Sequence, residues 1–142
     1  MSLIRWTDKF AVNQSLIDDQ HRYLFQLIND FHDAYMQRQT RQDVLILLNR
    51  LIDYAQRHFE DEERIMAEKA YPQLEAHQAL HVKLFEEIFA LNEKLADRAL
   101  NPTRDTIAFL KNWLTDHIML HDLKFAEHLN ASGAAGAGTA KV

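Results

Sequence analysis

Apolar residues recur three or four positions apart along most of the chain, a period typical of amphipathic helices. The first such stretch runs from about Ser15 to Tyr35 and then fades into a polar segment. There Thr40 stands three positions before Asp43, a pairing typical of the start of a helix. The same period predicts four helices in all, carried roughly by residues 15–35, 44–66, 74–95 and 107–129.

Two prolines separate the last three predicted helices. Tyr71-Pro72 ends the second helix, because the residue before a proline avoids helical backbone, and Pro72 itself can open the third helix near its first position. Asn101-Pro102 makes the next break. Since short connections between long helices favour antiparallel neighbours, we predict an all-α fold, an antiparallel up-down-up-down four-helix bundle.

The two ends of the chain differ from this helical part. Residues 1–14 show no clear period, but Trp6, Phe10 and Val12 need cover, which predicts an ordered N-terminal arm. Residues 131–142 are rich in alanine and glycine, and such a composition buries too little surface to order itself. We therefore predict one bundle domain over residues 1–130 and a flexible Ala/Gly-rich tail over residues 131–142.

The composition removes several classes of protein. All three glycines lie in the last ten residues, which argues against tight hairpins and phosphate-binding loops elsewhere. The chain has no cysteine, so disulfides, thiolate metal sites and thiol nucleophiles are excluded. A net charge of −5 gives no basic footprint for nucleic acid, and no apolar run approaches the length of a membrane span. We expect a cytoplasmic protein with neither a membrane span nor a nucleic-acid partner.

Five of the eight histidines fall on the apolar faces of the predicted helices. Buried imidazoles must find hydrogen-bond partners, and burying five of them together is costly unless something organises them. His32 and His128 are interpreted as surface or interface residues. The five inward positions are His21 in the first helix, His58 in the second, His77 and His81 in the third, and His117 in the fourth.

A metal ion would organise these imidazoles. His58 and Glu62 stand four positions apart, as do His77 and His81, so each pair shares one face of a helix. Bundle cores hold metal sites that are built from facing helices. Without thiolates, a set of imidazole and carboxylate ligands suits iron, zinc, copper, nickel or manganese.

Spacing alone leaves the fourth helix ambiguous. His117 can pair with His121, four positions on, or with Asp122, five positions on. The first lies nearer the same face, whereas the second is rotated by about 140° on an ideal helix. Charge favours Asp122, because two ions held close together need bridging carboxylates and Glu62 would otherwise be the only one.

These residues resemble the signature of the hemerythrin family, and the bacterial single-domain members, the bacteriohemerythrins, are the most similar in form. The resemblance covers about residues 6–129. It is carried by Asp18-x-Gln20-His21, His58-Phe59-x-x-Glu62-Glu63-x-x-Met66, Tyr71, His77-x-x-x-His81 and Trp113-Leu114-x-x-His117-x-x-x-x-Asp122.

The resemblance implies a non-haem di-iron centre in the bundle. In the implied arrangement three histidines hold one iron, two hold the other, and two carboxylates bridge the pair together with an oxo or hydroxo group. The iron with two histidines keeps an open position, where dioxygen would bind end-on as a hydroperoxide. Carried over by position, the first iron falls to His77, His81 and His117, the second to His21 and His58, and the bridges to Glu62 and Asp122. His121 is then left as a bystander.

The sequence also offers an apolar lining for such a centre. A dry lining would slow the entry of water and anions. The residues that lie within one turn of a ligand, and that we expect to line an oxygen pocket, are Leu24, Phe59, Trp113, Leu114 and Ile118.

The ligand set favours an oxygen-binding protein over a catalyst. Ferritin-like di-iron oxidases use a carboxylate-rich set, whereas five neutral imidazoles with two carboxylates stabilise high-valent iron less. The expected oxygen pocket also contains no evident proton donor for cleavage of the oxygen–oxygen bond. The expected partners are dioxygen and an oxygen-consuming enzyme as recipient, and the bacterial relatives suggest a monomer. The alternatives are a di-iron oxidase or peroxidase, a nitric-oxide-handling protein and an iron store.

Overall fold

The computed structural model describes residues 3–98 and 101–137, and those residues are helical with short connections. The prediction of an all-α four-helix fold is confirmed. After a 3₁₀ turn at Asp8–Phe10, helix α1 spans Ser15–Met36, α2 spans Arg41–Glu68 and α3 spans Leu74–Ala96. The fourth rod consists of α4 at Arg104–His117, a π-helical segment at Ile118–Asp122 and α5 at Leu123–Ala137.

Contacts between helices show that neighbours run antiparallel. Gln20, near the start of α1, donates from its amide to Asp61, near the end of α2, over 2.8 Å. Arg41, at the start of α2, donates to the carbonyl of Leu95 at the end of α3, over 2.7 Å. The start of α1, the end of α2 and the start of α3 therefore lie at one end of the bundle. Helix α5 reaches the same end, because His128 hydrogen-bonds the Lys69 carbonyl that follows α2.

Local signals in the sequence account for most of the helix ends. The Thr40 hydroxyl accepts from the backbone N–H of Asp43 over 3.1 Å, so the predicted cap of α2 is confirmed. The expectation that Pro72 opens α3 is wrong, because α3 begins at Leu74. Ala70 takes a positive φ of 52°, and the N–H of Tyr71 returns to the carbonyl of the last turn of α2, so the chain is still turning at Pro72.

The N-terminal arm is ordered over its described part, as predicted. Phe10 and Val12 are buried, and the guanidinium of Arg22 lies 4.1 Å from the ring centroid of Trp6. The Asp18 carboxylate accepts from the backbone N–H of Val12 over 2.8 Å and from that of the next residue over 3.1 Å. The arm is thereby fixed against the start of α1.

The C-terminal end differs in part from the expectation. Helix α5 continues to Ala137, so the backbone stays helical past the predicted boundary at residue 130. Positions 138–142 of the predicted tail lie outside the described residues, and the domain boundary and the flexibility of the tail stay predictions. None of the described helices is both long and apolar enough to cross a membrane.

Two apolar clusters fill the bundle, and a polar layer lies between them. Helix α1 contributes Leu24 to the larger cluster and Ile17 to the smaller one, which closes the end of the bundle. Helix α2 does the same with Phe59 and Ile65. The buried polar side chains of this layer include His21, His58, Glu62, His77, His81, His117 and Asp122.

Candidate metal centre

All seven predicted ligands come together in this polar layer. They are nearly inaccessible to solvent, with exposed fractions from 0% for His21 and Glu62 to 6% for His117. Because neighbouring helices are antiparallel, ligands near the start of α1 and α3 meet ligands near the end of α2 and in the middle of the fourth rod. Their donor atoms form two groups, Glu62, His77, His81, His117 and Asp122 in one, and His21, His58, Glu62 and Asp122 in the other, each within 4.8 Å.

The first group contains three imidazoles and one oxygen from each carboxylate. Glu62 Oε1 lies 3.0 Å from His77 Nε2 and 3.1 Å from His81 Nε2. Asp122 Oδ1 lies 3.0 Å from His77 Nε2 and 3.1 Å from His117 Nε2. Three nitrogens and two oxygens therefore face one point.

The second group uses the remaining oxygens of the same two carboxylates. Glu62 Oε2 lies 3.3 Å from His58 Nε2 and 3.5 Å from His21 Nε2. Asp122 Oδ2 lies 3.1 Å from His21 Nε2. Each carboxylate thus divides its oxygens between the two groups, which is the arrangement that a bridge between two cations requires.

The π-helical segment brings Asp122 to the same side of the rod as His117. In this segment the N–H of Leu123 bonds the carbonyl of Ile118, five positions earlier, instead of four. The wider turn reduces the rotation of about 140° that separates positions i and i+5 on an ideal α-helix. In this geometry Asp122 lies among the converging donor atoms, whereas His121 belongs to neither group in the described residues. That Asp122 binds metal stays a prediction.

The donor atoms fit metal ions better than they fit one another. His21 Nε2, His81 Nε2, His117 Nε2, Glu62 Oε2 and both Asp122 carboxylate oxygens are buried without a hydrogen-bond partner among the described residues. Several of them lie close together, yet they point at a common centre rather than along hydrogen bonds. Unsatisfied buried polar atoms are costly, and cations placed between them would remove that cost.

In the metal-free centre, the imidazoles and the carboxylates shift one another's pKa values against the effect of burial. Burial alone would lower the pKa of His21 and of His77, but contacts with Asp122 and Glu62 raise these pKa values to about 9 and about 10. Burial would raise the pKa of Glu62 and of Asp122, yet the surrounding imidazoles hold both well below their usual range. Without metal, protons take the place of cations in the cluster.

Two further residues, Gln20 and Glu63, hydrogen-bond the outer ring nitrogens of two ligands. Both belong to the signature quoted above but had no predicted role. The His58 Nδ1–H donates to the side-chain carbonyl of Gln20 over 2.7 Å, and His81 Nδ1–H donates to the Glu63 carboxylate over 2.7 Å. These bonds fix the tautomer that leaves Nε2 free to face the centre. Their spacing from the ligands carries no signal by itself, because both belong to polar stretches of the sequence.

The five residues expected to line an oxygen pocket, Leu24, Phe59, Trp113, Leu114 and Ile118, are all buried in the larger apolar cluster. The Phe59 ring stacks on that of His81, with centroids 4.1 Å apart and 15° between planes. Trp113 donates its indole N–H to the Leu84 carbonyl over 2.9 Å, so its polar edge is satisfied away from the centre. That these residues contact dioxygen stays a prediction.

The three remaining histidines lie outside the centre. His121 is partly exposed, with its ring centroid 5.5 Å from that of His117. His32 is 19% exposed and joins neither group. His128, interpreted from the sequence as a surface or interface residue, is partly exposed, hydrogen-bonds the Lys69 carbonyl at the end of α2 over 2.8 Å and packs on Tyr71. These contacts join α5 to the end of α2.

Comparison with known proteins agrees with this geometry. The family model described as the Hemerythrin HHE cation binding domain matches residues 13–129. The chain belongs to the hemerythrin family. Among hemerythrin relatives, the bacteriohemerythrin of Methylococcus capsulatus is 34% identical over 132 residues, covering 92% of this chain and 100% of that protein. The myohemerythrin of Riftia pachyptila is 32% identical over 124 residues, covering 87% of this chain and 92% of that protein.

Solved hemerythrin structures share the fold as well. A crystal structure of wild-type hemerythrin superposes with a TM-score of 0.82 at 34% identity, and the match covers 90% of this chain and 98% of that one. The resemblance to hemerythrins that the ligand spacing carries is therefore confirmed at the level of the family and of the fold.

Proposed function

We propose that this chain holds two iron ions and uses them to bind dioxygen reversibly. The observation that carries the proposal is the pair of shared carboxylates, Glu62 and Asp122, whose oxygens are divided between two groups of imidazoles. Membership of the hemerythrin family and the names of its relatives support iron and dioxygen over other metals and ligands.

The two ions have different ligand sets in this proposal. His77, His81 and His117 hold one iron, His21 and His58 hold the other, and Glu62 and Asp122 bridge them together with an oxo or hydroxo group. Two carboxylates offset part of the charge of the two cations in a buried layer, where uncompensated charge is expensive. The five imidazoles leave the centre less anionic than the carboxylate-rich sets of di-iron oxidases.

The unequal number of histidines leaves the second position open to an outside ligand. Iron at this open position would supply the reversible binding of dioxygen, and apolar side chains of the protein would surround the bound dioxygen. Leu24, Phe59, Trp113, Leu114 and Ile118 exclude water from the ligand side, while the smaller apolar cluster closes the opposite end. Such a site favours binding and release over turnover, since these five side chains hold no titratable group that can deliver a proton.

The proposal extends to the partners expected from the sequence. The chain acts as a monomer that stores or delivers dioxygen, with an oxygen-consuming enzyme as recipient. Within the described residues every ligand comes from one chain, which supports a centre that is complete without a second copy.

Cycling the reduced, iron-loaded protein between dioxygen and vacuum tests the proposal. We expect two irons per chain and a visible charge-transfer band that appears with dioxygen and disappears under vacuum over repeated cycles. Rapid, irreversible conversion to the oxidised form with consumption of a reducing substrate would support a di-iron oxidase or peroxidase instead. An iron content of one or fewer per chain in a folded protein would overturn the proposal.

A further inference from the structure

The outer nitrogens of His58 and His81 meet acceptors of different charge. His81 Nδ1–H donates to the Glu63 carboxylate over 2.7 Å, whereas His58 Nδ1–H donates to the neutral amide carbonyl of Gln20 over the same distance. The Gln20 amide in turn donates to the Asp61 carboxylate over 2.8 Å. On the His58 side, the negative charge therefore lies one residue further from the imidazole than on the His81 side.

The charged acceptor and the neutral acceptor belong to different groups of donor atoms in the centre. His81 belongs to the group with three imidazoles, and His58 belongs to the group with two. A carboxylate that accepts the outer N–H makes an imidazole a more electron-rich ligand, and its negative charge stabilises the higher oxidation state of the metal. Both effects act more strongly through Glu63 than through Gln20.

The position of Glu63 suits such a role. Its side chain is 24% exposed, so the carboxylate is partly wetted, while its partner His81 is 3% exposed. Glu63 borders a groove of about 380 Å³ between α2 and α3, to which Glu60 and Glu86 also contribute carboxylates. The hydrogen bond to His81 is what distinguishes Glu63 from its acidic neighbours.

We propose that Glu63 is a positioning residue that orients His81 and lowers the reduction potential of the ion in the three-histidine group relative to the other. This inference rests on the proposed di-iron function. It makes the two metal positions electronically unequal before any outside ligand binds, in addition to their unequal numbers of histidines.

Three variants test the proposal by anaerobic redox titration of the iron-loaded protein. Glu63→Gln keeps an acceptor for His81 Nδ1–H but removes the charge. Glu60→Gln removes the same charge from the same groove without touching a ligand, so it corrects for long-range electrostatics. The double variant Gln20→Glu/Asp61→Asn moves a carboxylate next to His58 without changing the net charge, and the amide at position 61 can donate to it.

We expect Glu63→Gln to shift the balance toward reduced iron at least tenfold at a fixed potential, which is about 59 mV for a one-electron step. Glu60→Gln should leave the potential within a small fraction of that shift. The double variant should move the potential in the opposite direction, toward oxidised iron. Iron per chain, measured alongside, should stay at two in all three variants.

The outcomes separate this inference from the proposed function. Equal potentials for Glu63→Gln and Glu60→Gln would overturn the role of Glu63. If Glu63→Gln loses iron, the double variant decides, and an unchanged potential there would overturn the electronic argument. If the unmodified protein itself holds fewer than two irons, the proposed function fails first.

Discussion

At the scale of single residues, the types of side chain on the buried helix faces predict the metal centre better than they predict the residues that orient its ligands. The five inward histidines and Glu62 predicted a shared metal, because imidazoles and carboxylates on buried helix faces are costly to bury unless they share a ligand. Asp122 joined this set through charge and through the resemblance to the hemerythrin family. The residues that orient them could not be predicted in the same way. Gln20 and Glu63 lie in polar stretches, and only the packing of α1 on α2 and of α2 on α3 shows which nitrogen each one accepts from.

The substitution His117→Ala tests the ligand assignment. It removes one of three imidazoles from the first group and leaves Asp122 with fewer compensating partners. We expect the iron content to fall to one or fewer per chain, and the free energy of unfolding of the metal-free protein to drop by about 2 kcal/mol. Iron analysis and urea denaturation measure the two effects.

The matched control is His121→Ala, four positions along the same rod. His121 is partly exposed and joins neither group of donor atoms, so this change should leave iron content and stability unaltered. Loss of iron in His121→Ala, or full iron in His117→Ala, would show that the assignment is wrong.

At the scale of elements, the helices follow the sequence pattern and the π-helical segment does not. Apolar periodicity and a threonine cap predict α1, α2 and the antiparallel order, because those features act locally. A π turn leaves no comparable mark, since the apolar residues on either side of it, Ile118 and Phe125, stand seven positions apart, as they would on an ordinary α-helical face. Charge arguments favoured Asp122 over His121, but only the backbone explains how it reaches the centre.

Exchanging His121 and Asp122 tests which of the two positions the π-helical segment directs toward the centre. The double variant His121→Asp/Asp122→His keeps composition and net charge but moves the carboxylate to a partly exposed position. Because the π turn directs position 122 inward, we expect the protein to lose at least one iron per chain with little change in helix content. Iron analysis with circular dichroism measures both quantities. Retention of two irons would mean that position 121 faces the centre.

At the scale of the whole molecule, the buried cluster couples folding to protons and metal. In the metal-free protein, His21 and His77 have pKa values of about 9 and about 10, above the value near 6.5 expected when unfolded. The folded state therefore holds more protons than the unfolded state between roughly pH 6.5 and 10, with His21 losing its proton near pH 9 and His77 near pH 10. The stabilisation from these protons is complete below this window and is lost as pH rises through it.

The free energy of unfolding of the metal-free protein should accordingly fall between pH 7 and pH 9. Each extra proton held by the folded state contributes about 1.4 kcal/mol per pH unit to the slope, so the two protons on His21 and His77 together give up to about 2.8 kcal/mol per pH unit. The lowered pKa values of His58, Glu62 and Asp122 do not oppose this trend, because their contributions are complete at pH 7. Urea denaturation at pH 7, 8 and 9 measures the slope.

In the iron-loaded protein the slope should largely vanish, since metal ligands carry no proton at the coordinating atom. A flat profile without metal would contradict the protonation that we infer.

The sequence therefore predicted the bundle and the side chains that converge in the polar layer, while the apolar closure of that layer emerged only from the fold. The smaller apolar cluster joins Val12 of the arm, Ile17 of α1, Met66 of α2 and Phe125 of α5, which are far apart in the sequence. Contacts between such distant segments leave no local pattern. They explain why apolar side chains enclose the polar layer on both sides and why the arm is ordered.

Anomalous diffraction at the iron edge, on crystals of the iron-loaded protein, tests the central claim most directly. We expect two peaks of similar height in the polar layer, one beside the Nε2 atoms of His77, His81 and His117 and the other beside those of His21 and His58. In each of Glu62 and Asp122, one carboxylate oxygen should lie beside the first peak and the other oxygen beside the second. A single peak, or two peaks that do not share both carboxylates, would contradict the account.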